Sequence, residues 1–326
     1  MKALFIGGTG IISSGCAPLA LEQGFELTLL NRGQSSRPTP EGAEVLVADF
    51  RDRAAVEQAI AGREFDVVVD WIAYTPDQVR RDIEMFRGRT GQYIFISSAS
   101  AYQKPPRSLP ITESTPLENP FWQYSRNKIA CEDVLTEAYL KTGFPATIVR
   151  PSHTYDKTMS PLRGGVTALN RMIQGKPVIV HGDGTSLWVL THHRDFARGF
   201  VGLMANPLAV GEAFHITSDE LLTWNRITEL MAAAAGVEAK IVHLTSETIN
   251  RYDPEWGAGL LGDKAHSAIF DNSKIKRFVP GFSAEIPFHR GAREIVNWYL
   301  ADETRLPAAS DPKLDALIDR AIAENQ

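Results

Sequence analysis

The stretch Lys2-Ala-Leu-Phe-Ile-Gly7-Gly8-Thr9-Gly10-Ile11-Ile12-Ser13 constrains the fold more than any other. Ala3 to Ile6 is a short apolar run. Glycines break it, and from residue 11 to residue 23 the apolar spacing is helical. Strand, glycine turn and helix in that order predict the opening βαβ unit of a dinucleotide-binding sheet. Glycines let the backbone approach a pyrophosphate closely. The amides that open the helix, at the positive end of its dipole, then hold the charge. Gly7, Thr9, Gly10, Ile11 and Ile12 are the expected cradle. Ser13 stands where a third glycine normally brings helix and strand together, so an altered helix approach is expected.

The rhythm continues to about residue 150. Strands are predicted over 3–6, 26–30, 44–47, 66–70, 93–97 and 146–150, with helices over 11–23, 53–60, 75–87 and 124–142. Alternation of this kind predicts an α/β fold, a Rossmann-type doubly wound parallel sheet covered on both faces. Beyond Arg150 the glycines and prolines multiply. Short strands over 178–181, 212–217 and 240–244 mix there with helices over 165–174, 193–205, 225–236, 273–278 and 289–300. We therefore expect a dinucleotide-binding domain over 1–155 and a smaller α+β C-terminal substrate lobe over 156–326, with some later segments returning to the first domain. The tail over 307–326 is charged and helix-prone.

Composition excludes several classes. Lys and Arg total 34 against 39 Asp and Glu, a net charge of −5, so no basic excess points to nucleic acid. No apolar run is long enough to span a membrane, and the chain enters its first strand at once, so neither a membrane partner nor a leader peptide is expected. Cys16 and Cys131 fall in predicted helices without metal-ligand spacing. They read as reduced core residues of a cytoplasmic protein. The adjacent His192 and His193 point about 100° apart on a helix and make poor partners for one ion; no metal is expected.

Candidate site residues fall at strand ends. The second strand ends Asn31-Arg32-Gly33. An acid there favours NAD and a nearby arginine accommodates the 2′-phosphate of NADP; Asn31 and Arg32, followed by Ser35, Ser36 and Arg37, lean towards NADP over NAD. Asp49, with Phe50 beside it, ends the third strand, where its carboxylate can accept from the adenine amino group or cap the next turn. Ala73, past the fourth strand, is small enough for the cofactor backbone to pass. The fifth strand runs into Ser97-Ser98-Ala99-Ser100-Ala101-Tyr102, and Tyr124-Ser-Arg-Asn-Lys128 opens a helix. Tyr124 and Lys128, four apart, share a helical face. An ammonium near a phenol lowers its pKa and fits it for general acid–base work, and a nearby serine hydroxyl can bind the same substrate oxygen. Trp122 and Trp188 can wall a substrate pocket or simply fill core.

With these residues in hand, the chain resembles an extended short-chain dehydrogenase/reductase of the NAD-dependent epimerase/dehydratase family. The resemblance implies that Ser98, Tyr124 and Lys128 are the catalytic trio, with Tyr124 as base. Tyr124, Lys128 and Pro151 would then contact the cofactor, and Ser100, His153 and Trp188 the substrate. It further implies hydride transfer at a secondary hydroxyl of a sugar-like small molecule, and a homodimer built partly on the helix from Tyr124. Departures accompany the matches. Ala99-Ser100 follows Ser98 where dehydratases carry an acid pair, Arg150-Pro-Ser-His153 replaces an R-x-x-N pattern, and Trp188 stands where a phosphate-binding arginine aligns. These changes put a UDP-sugar in doubt, and a smaller unactivated sugar, polyol or sugar acid fits as well. The alternative from another class is a non-catalytic dinucleotide-fold protein, including the RNA binders of the same superfamily.

Overall fold

The computed structural model describes residues 1–325. Its centre is a seven-stranded parallel sheet. Six strands come from the first half of the chain: β1 (Lys2–Ile6), β2 (Glu26–Asn31), β3 (Glu44–Val47), β4 (Phe65–Asp70), β5 (Thr90–Ile96) and β6 (Ala146–Pro151). The seventh, Ala213–Ile216, arrives from far along the chain and pairs with β6. Across the sheet the order is Ala213–Ile216, β6, β5, β4, β1, β2, β3. It reverses between β1 and β4, and ligands in such sheets sit beyond the strand carboxyl ends at that reversal.

Strands buried on both faces carry apolar residues at every position. In β1, Ala3 and Phe5 enter one core with Cys16, Ala17 and Ala20 of helix α1 (Ser13–Glu22) and with Phe196 and Phe200 of the helix His193–Val201. Leu4 and Ile6 enter the other, with Val56 of α2 (Arg53–Ala59), Val79 and Ile83 of α3 (Pro76–Phe86), and Cys131 and Leu135 of α4 (Gln123–Thr142). Both cysteines are free and buried. Local chemistry sets the helix limits. Thr75 and Gln78 form a capping box ahead of Pro76, and Gly143 ends α4 at φ 68°, a left-handed conformation that glycine adopts without steric cost.

A second core lies beyond the sheet, where Tyr155, Leu169, Trp188, Trp224, Phe288 and Ile295 pack together. Three two-stranded pairs frame it: His153–Tyr155 with Leu190–His192, Leu187–Trp188 with Leu222–Thr223, and Val178–His181 with Ile241–Leu244. Pieces of two or three residues have no readable period, so only 178–181 and 240–244 were legible beforehand. The tail packs rather than frays. Ile318, Ala321 and Ile322 of the helix Pro312–Ala323 join Trp256 and Leu260, and buried Arg171 binds Asp315 (2.5 Å) and Asp319 (2.7 Å). Gln326 of the predicted tail lies outside the described residues. Among the described residues no helix is long and apolar enough to cross a membrane.

Candidate functional site

At the end of β1 the chain turns on Gly7, whose φ is +82°. A Cβ there would come within 2.4 Å of Ile72 Cγ2, so the position excludes a side chain on two counts. The Gly7 amide donates to Leu30 O of β2 (2.9 Å) and the Thr9 amide to Gly7 O (2.9 Å). Ser13 Oγ accepts from the Gly10 amide at 2.7 Å and closes the turn from inside. The amides of Ile11 and Ile12, by contrast, have no acceptor among the described residues, and α1 has no side-chain cap. Orphaned donors at a helix start are an anion site. The turn that precedes them lines a cavity of about 570 Å³, with Gly7, Thr9, Gly10, Asn31, Arg32 and Asp49 on its wall. The groove therefore fits a dinucleotide. Two residues past Ser13, Gly15 brings α1 close to the helix His193–Val201, where a Cβ would lie 2.7 Å from His193 O. Gly7→Ala is expected to cost about 1–3 kcal/mol in denaturant unfolding and to weaken dinucleotide binding by calorimetry, because it combines positive φ with the Ile72 clash.

The adenosine end differs from expectation in two places. Asn31 Oδ1 is occupied by the Gly33 amide (2.8 Å), and Asp49 is gripped by the Arg51 side chain (2.6 Å) and backbone amide (3.0 Å). Arg51 holds the Asp49 carboxyl well below its usual range, so this acid is engaged by a neighbouring cation rather than free for an adenine. Asp49 does cap the next turn, its Oδ1 accepting from the Arg51 amide while the Asp52 amide donates to Asp49 O (2.8 Å), and Asp52 then caps α2, accepting from the Ala55 amide (3.1 Å). Phe50 is buried beneath the Arg81 guanidinium, 4.4 Å from its ring centroid. Arg37 leaves the groove. It pairs with Asp156 and reaches Thr158 Oγ1 (2.5 Å) and Ser14 Oγ (3.5 Å), strapping the β2–β3 connection across α1. Arg32 alone stays exposed on the groove wall, with no carboxylate within 4 Å among the described residues.

The predicted trio meets where β5 ends beside α4. Ser98 sits in extended backbone and its Oγ lies 2.9 Å from Ser100 Oγ. Tyr124 packs on Trp122 (ring centroids 4.9 Å) and near Tyr74 (6.2 Å). Burial pushes the Tyr124 phenol up to about 12, while a hydrogen bond with Ser98 pulls the other way. Lys128 does not act on the phenol as expected. Its buried ammonium donates to Ala73 O (2.7 Å) and Ile96 O (2.8 Å) and lies 5.9 Å from the Tyr124 ring centroid. Burial lowers Lys128 to about 8. Two carbonyls thus hold the cation under the ring, tying the ends of β4 and β5 together. Ser100 was expected to meet substrate. Its hydroxyl instead receives Ser125 Oγ (2.8 Å) and meets Ser98, at 3 % exposure, so it fixes the corner.

Sequence reading missed two supports of this corner. Asn119 is buried; its Nδ2 donates to Ser100 O (2.9 Å) and Gly262 O (2.7 Å), and its Oδ1 accepts from the Trp122 amide (3.1 Å). Behind β5, Ser97 Oγ donates to Glu132, which forms a buried two-point ion pair with Arg150 (Nε–Oε1 3.0 Å, Nη2–Oε2 2.5 Å). Arg150 also covers the Tyr102 ring at 4.8 Å, and Tyr102 donates to His215 Nδ1 (3.0 Å). No local signal marks the Asn119 Nδ2 contacts or the Glu132–Arg150 pair, whose partners are 18 to 143 residues apart.

β6 ends on Pro151, and the chain then reaches His153, on the wall of a second cavity of about 560 Å³. His153 Nδ1 accepts from the Trp188 indole (3.1 Å). Trp188 itself is core, 2 % exposed, and supports His153 instead of facing substrate as expected. Trp122 does line the cavity. His192 and His193 serve structure: His192 Nε2 meets Glu294 (3.0 Å), and His193 packs on α1 with Nδ1 3.3 Å from Ser14 Oγ. Among the described residues, no group of three His, Cys, Asp or Glu could hold a metal ion.

The dinucleotide groove and the serine–tyrosine corner share the carboxyl edge of one sheet, and comparisons with known proteins agree with that arrangement. Residues 3–217 match the NAD dependent epimerase/dehydratase family. The chain is 28% identical over 258 residues to the chloroplast stem-loop binding protein of 41 kDa b of Arabidopsis thaliana, covering 74% of this chain and 65% of that protein. It is 24% identical over 293 residues to the 2′-dehydrokanamycin reductase of Streptomyces kanamyceticus, covering 86% and 80%. Among solved structures it superposes on UDP-glucose 4-epimerase from Bifidobacterium longum, in complex with NAD+ and UDP, with a TM-score of 0.74, 19% identity and coverage of 94% and 100%. The chain belongs to the NAD-dependent epimerase/dehydratase family.

Proposed function

We propose that this protein is a nicotinamide-dependent oxidoreductase or epimerase acting at a secondary hydroxyl of a sugar-like substrate. The observation that carries the reading is Tyr124 beside Ser98 and above Lys128, on the same sheet edge as the unpartnered amides of Ile11 and Ile12. The dinucleotide, when bound, supplies the hydride acceptor. Ile11 and Ile12 would hold its pyrophosphate, and Lys128 its nicotinamide ribose. Tyr124 takes the hydroxyl proton as hydride leaves the same carbon, and Ser98 donates to the oxygen as it becomes a carbonyl. Return of hydride to the other face gives epimerisation; release of the ketone gives dehydrogenation. In this reading residues 1–155 form the dinucleotide domain and 156–326 the substrate lobe, and α4 pairs two copies in a cytoplasmic homodimer.

NADP is the cofactor we place first, on the absence of an acid at the end of β2 and on the free Arg32. Arg32→Ala is expected to weaken NADP+ binding roughly tenfold and leave NAD+ within about twofold, by calorimetry. Equal losses for both would assign NAD.

A binding-only role is the second reading, and the similarity to a stem-loop binding protein favours it. The net charge of −5 speaks against a polyanion partner. Reduction of bound oxidised nicotinamide by any sugar substrate decides for the enzyme. Retention of a stem-loop RNA without such reduction decides for the binder.

A further inference from the structure

The cavity past β6 has a polarity of its own. Its walls are mostly apolar, and its polar groups nearly all donate. His153 is one. Its Nδ1 accepts from Trp188, and burial pushes the imidazole down to about 3, so the ring is neutral and carries its proton on Nε2. That donor has no acceptor among the described residues, and His153 lines the cavity. The indole N–H of Trp224, another wall residue, is likewise buried without a partner.

Lys264 is the third donor. It ends a single π-helical stretch, Leu260–Lys264, a distortion that recurs at functional sites. Asn119 bolts this stretch to the serine–tyrosine corner through Gly262 O, and His181 Nε2 and Ser186 Oγ hold the Lys264 carbonyl (2.9 and 3.3 Å). The ammonium stands over the rings of Trp122 and Trp188, 5.6 and 5.7 Å from their centroids. Trp122 is the same indole that packs on Tyr124. Its only carboxylate within 4 Å among the described residues is Asp263, at 3.7 Å. Asp263 lies closer to a second ammonium, that of the buried Lys104, at 3.0 Å. Two cations share one anion, so Lys264, which burial pulls below its ordinary value, is the cation beside the cavity without an anion of its own, and a bound oxyanion would hold it protonated. Arg163 adds none, since Asp253 engages it at 2.8 Å. The one acid on the cavity wall, Glu255, is exposed to solvent.

We infer that this cavity selects a hydroxylated ring compound bearing a single carboxylate, held by Lys264 and His153 while the Trp122 indole faces the ring. The inference rests on the oxidoreductase reading and narrows its substrate class. One uncompensated cation among apolar walls matches one oxyanion. A nucleoside diphosphate brings at least two charges and finds no second free cation here.

The test is a titration that needs no turnover. Quenching of tryptophan fluorescence is followed on the full-length protein with glucose, glucuronate, glucose 6-phosphate and UDP-glucose as probes. Glucuronate is expected to bind roughly tenfold or more tightly than glucose, and the multiply charged glucose 6-phosphate and UDP-glucose less tightly than glucuronate. Lys264→Gln is expected to remove that preference without changing the glucose titration, and Lys264→Arg to restore most of it. Tyr124→Phe is expected to titrate like wild type, so failure here is separate from failure of hydride transfer. Glucose binding as tightly as glucuronate, no binding of glucuronate, an unchanged preference in Lys264→Gln, or glucose 6-phosphate or UDP-glucose binding more tightly than glucuronate would each overturn the inference.

Discussion

Tyr124→Phe is expected to lower turnover by about 10²–10⁴-fold while leaving dinucleotide affinity within about threefold. Phenylalanine keeps the ring that packs on Trp122 and loses only the hydroxyl, whose pKa the neighbouring Ser98 pulls down against burial. Folding should therefore be unaffected, and thermal denaturation checks that. The pH dependence follows from the same group. Burial raises the Tyr124 phenol to about 12, so it is protonated at neutral pH. Oxidation needs the phenolate as base, so below the operating pKa its kcat/KM is expected to climb about tenfold per pH unit. Reduction uses the phenol as acid and should be flat across the same range. A profile that falls with rising pH in the oxidative direction would remove Tyr124 from the base role.

Glu132→Ala is expected to carry the largest stability penalty, about 3–5 kcal/mol in denaturant unfolding. Arg150 is 5 % exposed and Glu132 2 %, so truncation leaves a guanidinium buried without its anion and orphans the Ser97 hydroxyl as well. The double replacement Glu132→Leu with Arg150→Met removes both charges and should recover most of the loss, because burying an ion pair costs nearly as much as it returns. Equal destabilisation of single and double variants would mean that the network, with Tyr102 and His215, matters for shape more than for charge. Dinucleotide binding should survive in each variant that remains folded, since the pair lies behind β5 and not at the Ile11–Ile12 amides.

Much of the sheet was readable because its signals are local. Strands such as Phe65–Asp70 are apolar at successive buried positions, and glycine or proline marks several of the turns between them. The glycine turn and the Tyr124–Lys128 spacing were readable for the same reason. What escaped depends on partners distant in sequence. Arg37 looked like a phosphate ligand until Asp156 claimed it. Asp49 looked free until Arg51 did the same, and Ser100 looked like a substrate contact until Ser125 met its hydroxyl. Trp188 was placed on the substrate when it serves by orienting His153. Lys264 and Asn119 gave no signal, because a five-residue π turn and a buried asparagine have no pattern of their own. The two backbone carbonyls that hold the Lys128 ammonium, Ala73 O and Ile96 O, had no signal in the sequence either.

The central claim is that a hydride leaves substrate for a nicotinamide held on this sheet edge while Tyr124 takes the proton. The most direct test loads the wild-type protein and Tyr124→Phe with oxidised cofactor. Each is mixed with a panel of sugars, sugar acids and sugar phosphates, and the growth of reduced-nicotinamide absorbance is followed in a single turnover. The account predicts reduction by at least one panel member in the wild type and about 10²–10⁴-fold slower reduction in Tyr124→Phe with cofactor still bound. Equal rates in the two proteins, or bound cofactor that no panel member reduces, would contradict it.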